Sequence, residues 1–272
     1  MQKHVSKMQQ AICIILLIIL FASLTGCGGE PTTIADIAYD RRLRGRNTDF
    51  RIFLEENGVY VPYLVLTANY GGNVLLLREY LLDEGQPINP SPHGERRWAW
   101  QDFGAYYPDS HMDNFLNTEF KNTLGDSAIA VMVPSDIVVT DKSSIGVTGR
   151  TSYVITRYVF LLSLRELGVP DPGTSVPEGE RLRFFRGLHT GRVASLSDGR
   201  ETPYWTRTPN TWGTSNVFTI GVNSIGSGTA DVYSGVRPAF SVARSTPITT
   251  RTDIINGETV FIIDASSQQE RL

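Results

Sequence analysis

The chain has 272 residues, 41% of them hydrophobic, with 25 basic against 28 acidic side chains and a formal charge of −3. That length and apolar content support a packed core, and the mild acidity gives no ground for nucleic acid or anionic lipid as a partner. Two cysteines exclude a disulfide-rich scaffold.

The first element in chain order is a leader. Lys3, His4 and Lys7 precede an unbroken apolar run, "AICIILLIILFA", from Ala11 to Ala22. Such a run is short for a membrane-spanning helix and suits the central region of a signal peptide. "LTGC", Leu24 to Cys27, resembles the lipobox of bacterial lipoproteins. The resemblance implies that residues 1–26 are removed and that Cys27 carries a diacylglycerol thioether and usually one further acyl chain. The protein is then extracytoplasmic, facing the cell surface or periplasm, with the membrane as a partner through Cys27. Two or more chains anchor stably where one does not. Cys13 leaves with the leader, so the mature chain keeps Cys27 alone and forms no internal disulfide. Loss of Lys3 and Lys7 from the 25 basic residues brings the formal charge to −5.

Residues 27–44 read as a lipidated tether that runs into the basic stretch "RRLRGR", residues 41–46, a solvated segment or a contact for headgroups. One domain, 45–264, follows, and 265–272 is a tail. Three β-favouring runs, Phe50–Glu55, Val59–Thr67 and Asn73–Leu81, are separated by the turn signals "ENG" and "NYGG", which predicts an antiparallel meander. Residues 85–97 form a proline-rich loop. Residues 109–124 are the clearest helix, with Asp109 or Ser110 as its cap and Met112, Phe115, Leu116 and Phe120 as one apolar stripe. Strand-like runs return at Ala128–Val133, Ile137–Val139 and Val154–Leu162, and a Pro- and Gly-rich loop spans 168–180. The last third is short-stranded: "RVASL", "PYWTRTP", "NVFTIGVNSIG", "VRPAFSV" and "DIINGETVFIID", whose Asn256-Gly257 predicts a hairpin turn.

No motif compels an enzyme. "GVNSIGSG", residues 221–228, departs from G-x-S-x-G. His93, His111 and His189 lack a paired metal-ligand spacing, and on a helix Asp109 and Asp113 sit about 200° from His111. No cofactor or metal is implied. Paired carboxylates meet only in three dimensions, so an enzyme acting on envelope polymers stays open, as does a structural envelope subunit. The late aromatics point elsewhere. Trp205, Phe218 and Phe240 read as core, whereas Asn210, Trp212, Asn216, Asn223 and Tyr233 fall on turns. Trp, Tyr and Asn on turns give contact area and hydrogen bonds at low entropic cost, which suits a surface for a glycan, peptide or protein ligand. Trp212 and Tyr233 must then be exposed.

"PYWTRTP" places Trp205 and Arg207 two positions apart, on one face of a strand. Followed by "SGVRPAF", it resembles the paired W-W-x-R-S-P and G-V-R-P-A motifs of a bacterial family of unknown function found in cell-surface and secreted proteins. "VPYLVLTANYGGNVLLLREYLLD" is similar to that family's opening strands and "SHMDNFLNTEF" to its S-x-I-R-x-W-L-N-x-x-F helix. "YVFLLSLRELG" is similar to its D-x-V-F-L-L-S-x-x-E segment and "RVASL" to its R-x-A stretch, so the resemblance covers about 59–243. Arg207, Pro209, Gly235, Arg237 and Pro238 match. Asp113 and Phe115 stand where the family has Arg and Trp, and Tyr204, Thr206 and Thr208 where it has Trp, Leu and Ser.

Members resemble C-type-lectin-like and sulfatase-modifying-factor-like folds. The resemblance therefore implies a compact α+β domain, C-type-lectin-like, with a twisted, mainly antiparallel sheet, one clear helix and a loop-rich face. The catalytic cysteines of the sulfatase-modifying branch and the E-P-N and W-N-D motifs of calcium lectins are missing from this domain. Trp205, Arg207, Pro209, Gly235, Arg237 and Pro238 then form a structural motif, with the two late strands adjacent and both guanidiniums bonded to carbonyls or acids beneath the loops.

Overall fold

The computed structural model describes residues 30–41, 50–92, 102–147, 149–186, 191–222, 224–255 and 257–264. The leader, Cys27, the tail 265–272, His93, His189 and Asn223 lie outside them. No helix among the described residues is long and apolar enough to cross a membrane.

The chain builds an α+β fold, mostly strands. β1 (Arg51–Glu56), β2 (Val59–Tyr70) and β3 (Asn73–Arg78) form an antiparallel meander. Its turns follow from residues that accept positive φ: Asn57 and Gly58 at 49° and 82°, Gly71 and Gly72 at 57° and 86°. The helix comes next. Ser110 caps α1 (His111–Phe115), its hydroxyl accepting the Asp113 N–H at 3.1 Å. The coil continues through a π turn, Leu116–Phe120, and a 3₁₀ turn, Lys121–Thr123. Met112, Leu116 and Phe120 bury their side chains, and Phe115 is partly buried.

Two predicted strands resolve differently. Ala128–Val133 splits into α2 (Asp126–Val131) and a two-residue strand, β4 (Met132–Val133). Gly125 donates its N–H to the Glu55 carbonyl, and its own carbonyl accepts from Ala128 and Ile129, which starts a helical turn where β-favouring residues suggested a strand. Val154–Leu162 divides at Tyr158 into β6 (Ser152–Arg157), paired with β5 (Ser135–Thr140), and β7 (Val159–Leu161), which joins the main sheet. Asn117 Oδ1 accepts from the N–H groups of both Tyr158 and Val159, at 3.2 and 3.1 Å, and holds the bend. "RVASL" contributes a single bridge, Ser195 to Glu201, rather than a strand.

The last strands are β8 (Tyr204–Pro209), β9 (Asn216–Ile220), β10 (Ile225–Thr229), β11 (Pro238–Val242), β12 (Ile248–Ile255) and β13 (Glu258–Ile263). The main sheet runs β12-β13-β1-β2-β3-β11-β4, with β7 also on β11. Among the strand pairs of this sheet in the described residues, β1–β13, in the register Phe53 to Ile262, is the parallel one, so the curled sheet is mixed. β8, β9 and β10 form a second sheet in the order β10-β9-β8. All residues of β8 and β11 are buried, so both faces of these strands are covered. Trp205, Phe218 and Phe240 sit in this core.

Part of the expected tether belongs to the fold. Ile34 and Ile37 on a 3₁₀ turn, with Ala38, are buried in the core. Ile34 donates its N–H to the Thr246 carbonyl at 2.9 Å, and the Thr32 carbonyl accepts from Ile248 at 3.1 Å. Asp40 accepts from the Thr67 hydroxyl at 2.7 Å and the Ala68 N–H at 2.9 Å. The compact unit therefore begins at Thr32, not at residue 45. Apolar residues at Ile34, Ile37 and Ala38 gain more from burial than a solvated tether would give them.

Candidate functional site

The "PYWTRTP" strand ends in a buried charge cluster. Arg207, with 0% of its surface exposed, forks onto Glu166, Nη1 to Oε2 at 2.7 Å and Nη2 to Oε1 at 2.9 Å. Nη1 also donates to the Leu161 carbonyl at 2.8 Å, and Nε to that of Val138 at 3.0 Å. Glu166 is fixed before Arg207 reaches it. The Ser163 N–H donates to Oε2 at 2.9 Å while the Ser163 hydroxyl accepts from the Glu166 N–H at 3.1 Å, a reciprocal Ser-x-x-Glu box. The Tyr70 hydroxyl donates to Oε1 at 2.7 Å.

A second acid, Glu178, lies on the other side, with Oε2 at 4.0 Å from Arg207 Nε. Its Oε1 accepts from the Thr140 N–H and hydroxyl, and its Oε2 from the Thr208 hydroxyl at 2.6 Å. Burial pushes the Glu178 carboxyl up to about 7, against the pull of Arg207. Burial works against the Arg207 charge too, but Glu166 outweighs it and holds the guanidinium above its ordinary pKa. Both glutamates are buried and hydrogen-bonded to protein donors, an arrangement that braces strands.

Arg237 braces the neighbouring turn through carbonyls: Nε to Arg78 at 3.0 Å, Nη2 to Glu79 at 3.2 Å and Nη1 to Gly191 at 3.3 Å. Gly235 joins the two motifs. Its N–H donates to the Pro203 carbonyl at 2.9 Å, and its carbonyl accepts from Trp205 at 3.0 Å. A β-carbon there would lie 2.7 Å from Leu81 Cδ1 and 3.0 Å from the Pro203 oxygen. The Trp205 indole donates to the Gln86 carbonyl at 2.8 Å. Pro209 closes β8 and Pro238 opens β11. The pairing of β8 with β9 shifts register between Trp205 and Pro209, so Trp205 and Arg207 serve different neighbours despite their spacing.

Above this frame lies the loop joining β8 to β9. Asn210 donates its N–H to the Asn216 carbonyl at 2.8 Å, and its side-chain oxygen accepts from the Trp212 N–H at 3.3 Å. Thr211 donates its N–H to Thr174 at 2.8 Å and accepts from Gly146 at 3.0 Å. The Thr214 carbonyl accepts from Ala105 at 2.9 Å. The loop backbone is thus stitched to three other loops, while the Trp212 side chain stands 81% exposed. It flanks a groove of about 260 Å³ with Val147, Arg150, Ser175, Thr211 and glycines 146, 149 and 173. The loops of this face also place the Lys142 ammonium 5.0 Å from the Phe103 ring and 5.8 Å from that of Tyr106, whose hydroxyl bonds that of Tyr153. Burial, then the Tyr153 bond, raises the Tyr106 pKa.

The residues singled out in the sequence do not all meet. Asn210 spends its side chain on the turn, and Asn216 begins β9 opposite Thr229. Tyr233 is 75% exposed, but its segment ends beside Tyr204, at the other end of β8 from Trp212, and it does not line the same groove. Asn223 is outside the described residues. Sequence reasoning missed Arg150 and Val147 as neighbours of Trp212, and Glu166, Glu178 and Tyr70 as partners of Arg207. The capping box Ser163-x-x-Glu166 was the one local signal for them.

No curated protein and no solved structure matches the chain. Residues 71–244, more than half of it, match the family described as Domain of unknown function (DUF6273). That segment runs from the β2–β3 turn past β11 and contains α1, the charge cluster and the Trp212 loop. By that match over most of its fold, the chain belongs to the DUF6273 family of domains of unknown function.

Proposed function

We propose that this is an extracytoplasmic lipoprotein, anchored through Cys27, whose domain binds a ligand on the loop face around Trp212. The observation that carries the reading is the exposed indole on a fixed backbone. Burying a large apolar side chain is worth about 1.5–3 kcal/mol, and here the chain leaves that gain to a partner. Because the loop is already ordered, a ligand recovers it without ordering the loop first. Arg150, Ser175 and Thr211 border the same groove and offer polar partners. An aromatic platform ringed by such groups suits a glycan first, and a peptide or surface protein next. A C-type-lectin-like arrangement belongs to the same reading, supported by the mainly antiparallel curled sheet, the single clear helix and the long loops.

A glycan array, probed with soluble protein lacking the leader and Cys27, tests the site. Trp212→Ala is expected to weaken binding at least tenfold with an unchanged melting temperature; equal binding by the variant rejects the groove as the site. The anchor is tested separately. Cys27→Ala is expected to move the protein from the membrane to the soluble fraction, and retention in the membrane rejects lipidation at Cys27.

A further inference from the structure

A groove of about 720 Å³, more than twice that at Trp212, lies between the β1–β2 hairpin and the β12–β13 hairpin. Its size falls within the roughly 300–1,000 Å³ of small-ligand sites. Most of its wall comes from β1, β2 and β13, outside residues 71–244. The apolar surface on the Phe53 face is supplied by Phe53 and its cross-strand partner Pro62.

The charges around that surface are unbalanced in one direction. Arg78 forks onto Glu56, Nε to Oε1 at 2.9 Å and Nη2 to Oε2 at 3.1 Å, and its Nη1 donates to the Tyr80 and Leu81 carbonyls. The Tyr63 hydroxyl donates to the same glutamate. Arg51 forks onto Glu79 at 2.6 and 2.7 Å. Both cations of the groove are therefore matched by a carboxylate. Two acids remain. Among the described residues, Asp83 accepts the Ser197 hydroxyl at 3.3 Å and makes no ion pair, and the exposed Glu258 makes none either. An anion entering here would meet neutralised guanidiniums and two free carboxylates.

From this complementarity we infer that the groove docks an extended peptide segment carrying a Lys or Arg side chain between apolar neighbours. The basic group meets Asp83 or Glu258, and the flanking side chains lie on Phe53 and Pro62. Such a site would act beside the Trp212 face and independently of it.

The probe is a fluorescein-labelled (Leu-Lys)₄ peptide, with (Leu-Glu)₄ as its counterpart, read by fluorescence anisotropy. Saturable binding of the Leu-Lys peptide is expected, weakened at least tenfold by Asp83→Asn with Glu258→Gln. Glu119→Gln with Glu180→Gln makes the same change in net charge elsewhere and is expected to leave binding unaltered. Three results overturn the proposal: no saturable binding, equal binding of the Leu-Glu peptide, or equal weakening by the two double variants. The last would reduce the effect to net charge.

Discussion

Arg207 carries its charge where water does not reach, and taking an ion out of water costs several kcal/mol unless its partners are near ideal. Here the fork to Glu166 and two carbonyls fill four donor positions. Arg207→Met leaves Glu166 buried beside no cation and is expected to lower stability by about 3–5 kcal/mol in urea unfolding. Arg207→Lys is expected to be nearly as costly, because an ammonium cannot fork across the carboxylate; a wild-type midpoint for either variant would refute the brace. Glu178 adds a pH dependence of definite sign. Its carboxyl titrates near 7 in the fold against 4.5 as the ordinary value. Between those values the folded chain holds the extra proton, so this contribution is full below 4.5 and is lost as pH rises through 7. Its size is at most about 3 kcal/mol. Glu178→Gln, which imitates the protonated shape, is expected to remove that slope. The check is the unfolding free energy of both proteins at pH 5 and pH 8; parallel values would rule the assignment out.

At the scale of elements, the joint at Gly235 is the sensitive one. Gly235→Ala drives a methyl into Leu81 and the Pro203 carbonyl, and is expected to cost about 1–3 kcal/mol, measured by thermal melting. Unchanged melting would mean that the turn relaxes freely. The meander, the helix stripe and the β12–β13 hairpin were legible because alternation, heptad-like spacing and Gly pairs are local signals. What was not legible depends on partners far along the chain. The helix at Asp126 starts on a bond from Gly125 to Glu55, and the break at Tyr158 is set by Asn117, 41 residues away. The exposure of Trp212 follows from its Pro-Asn-Thr-Trp-Gly turn, whereas Glu166 meets Arg207 across 41 residues that no spacing rule relates.

The whole molecule depends on its N-terminal segment. A chain shortened to begin at residue 45 loses Ile34, Ile37 and Ala38 from the core. Buried Ile truncations cost about 2–5 kcal/mol each against a total stability of about 5–15 kcal/mol. The shortened chain is expected to melt lower by about 10 °C or more, and an unaltered melting temperature would show the segment to be dispensable. Fold and extent are thus tied together, and the boundary expected from composition misses this. Gly, Pro and Thr around residues 28–33 read as linker, while the residues after them find partners far along the chain, at 246–248 and at Thr67 and Ala68.

That attachment has a mechanical side. A pull arriving at Pro31 is met first by the bonds between Thr32 and Ile248 and between Ile34 and Thr246, and then by those of Asp40 to Thr67 and Ala68. Behind them stands β1, flanked by β13 and β2, so a load along it must shear a ladder on either edge at once. The chain therefore carries a docked segment in series with a sheet held on two edges. Stretched from that end, it yields the first segment as one event and the β1 ladders as a separate event at higher force.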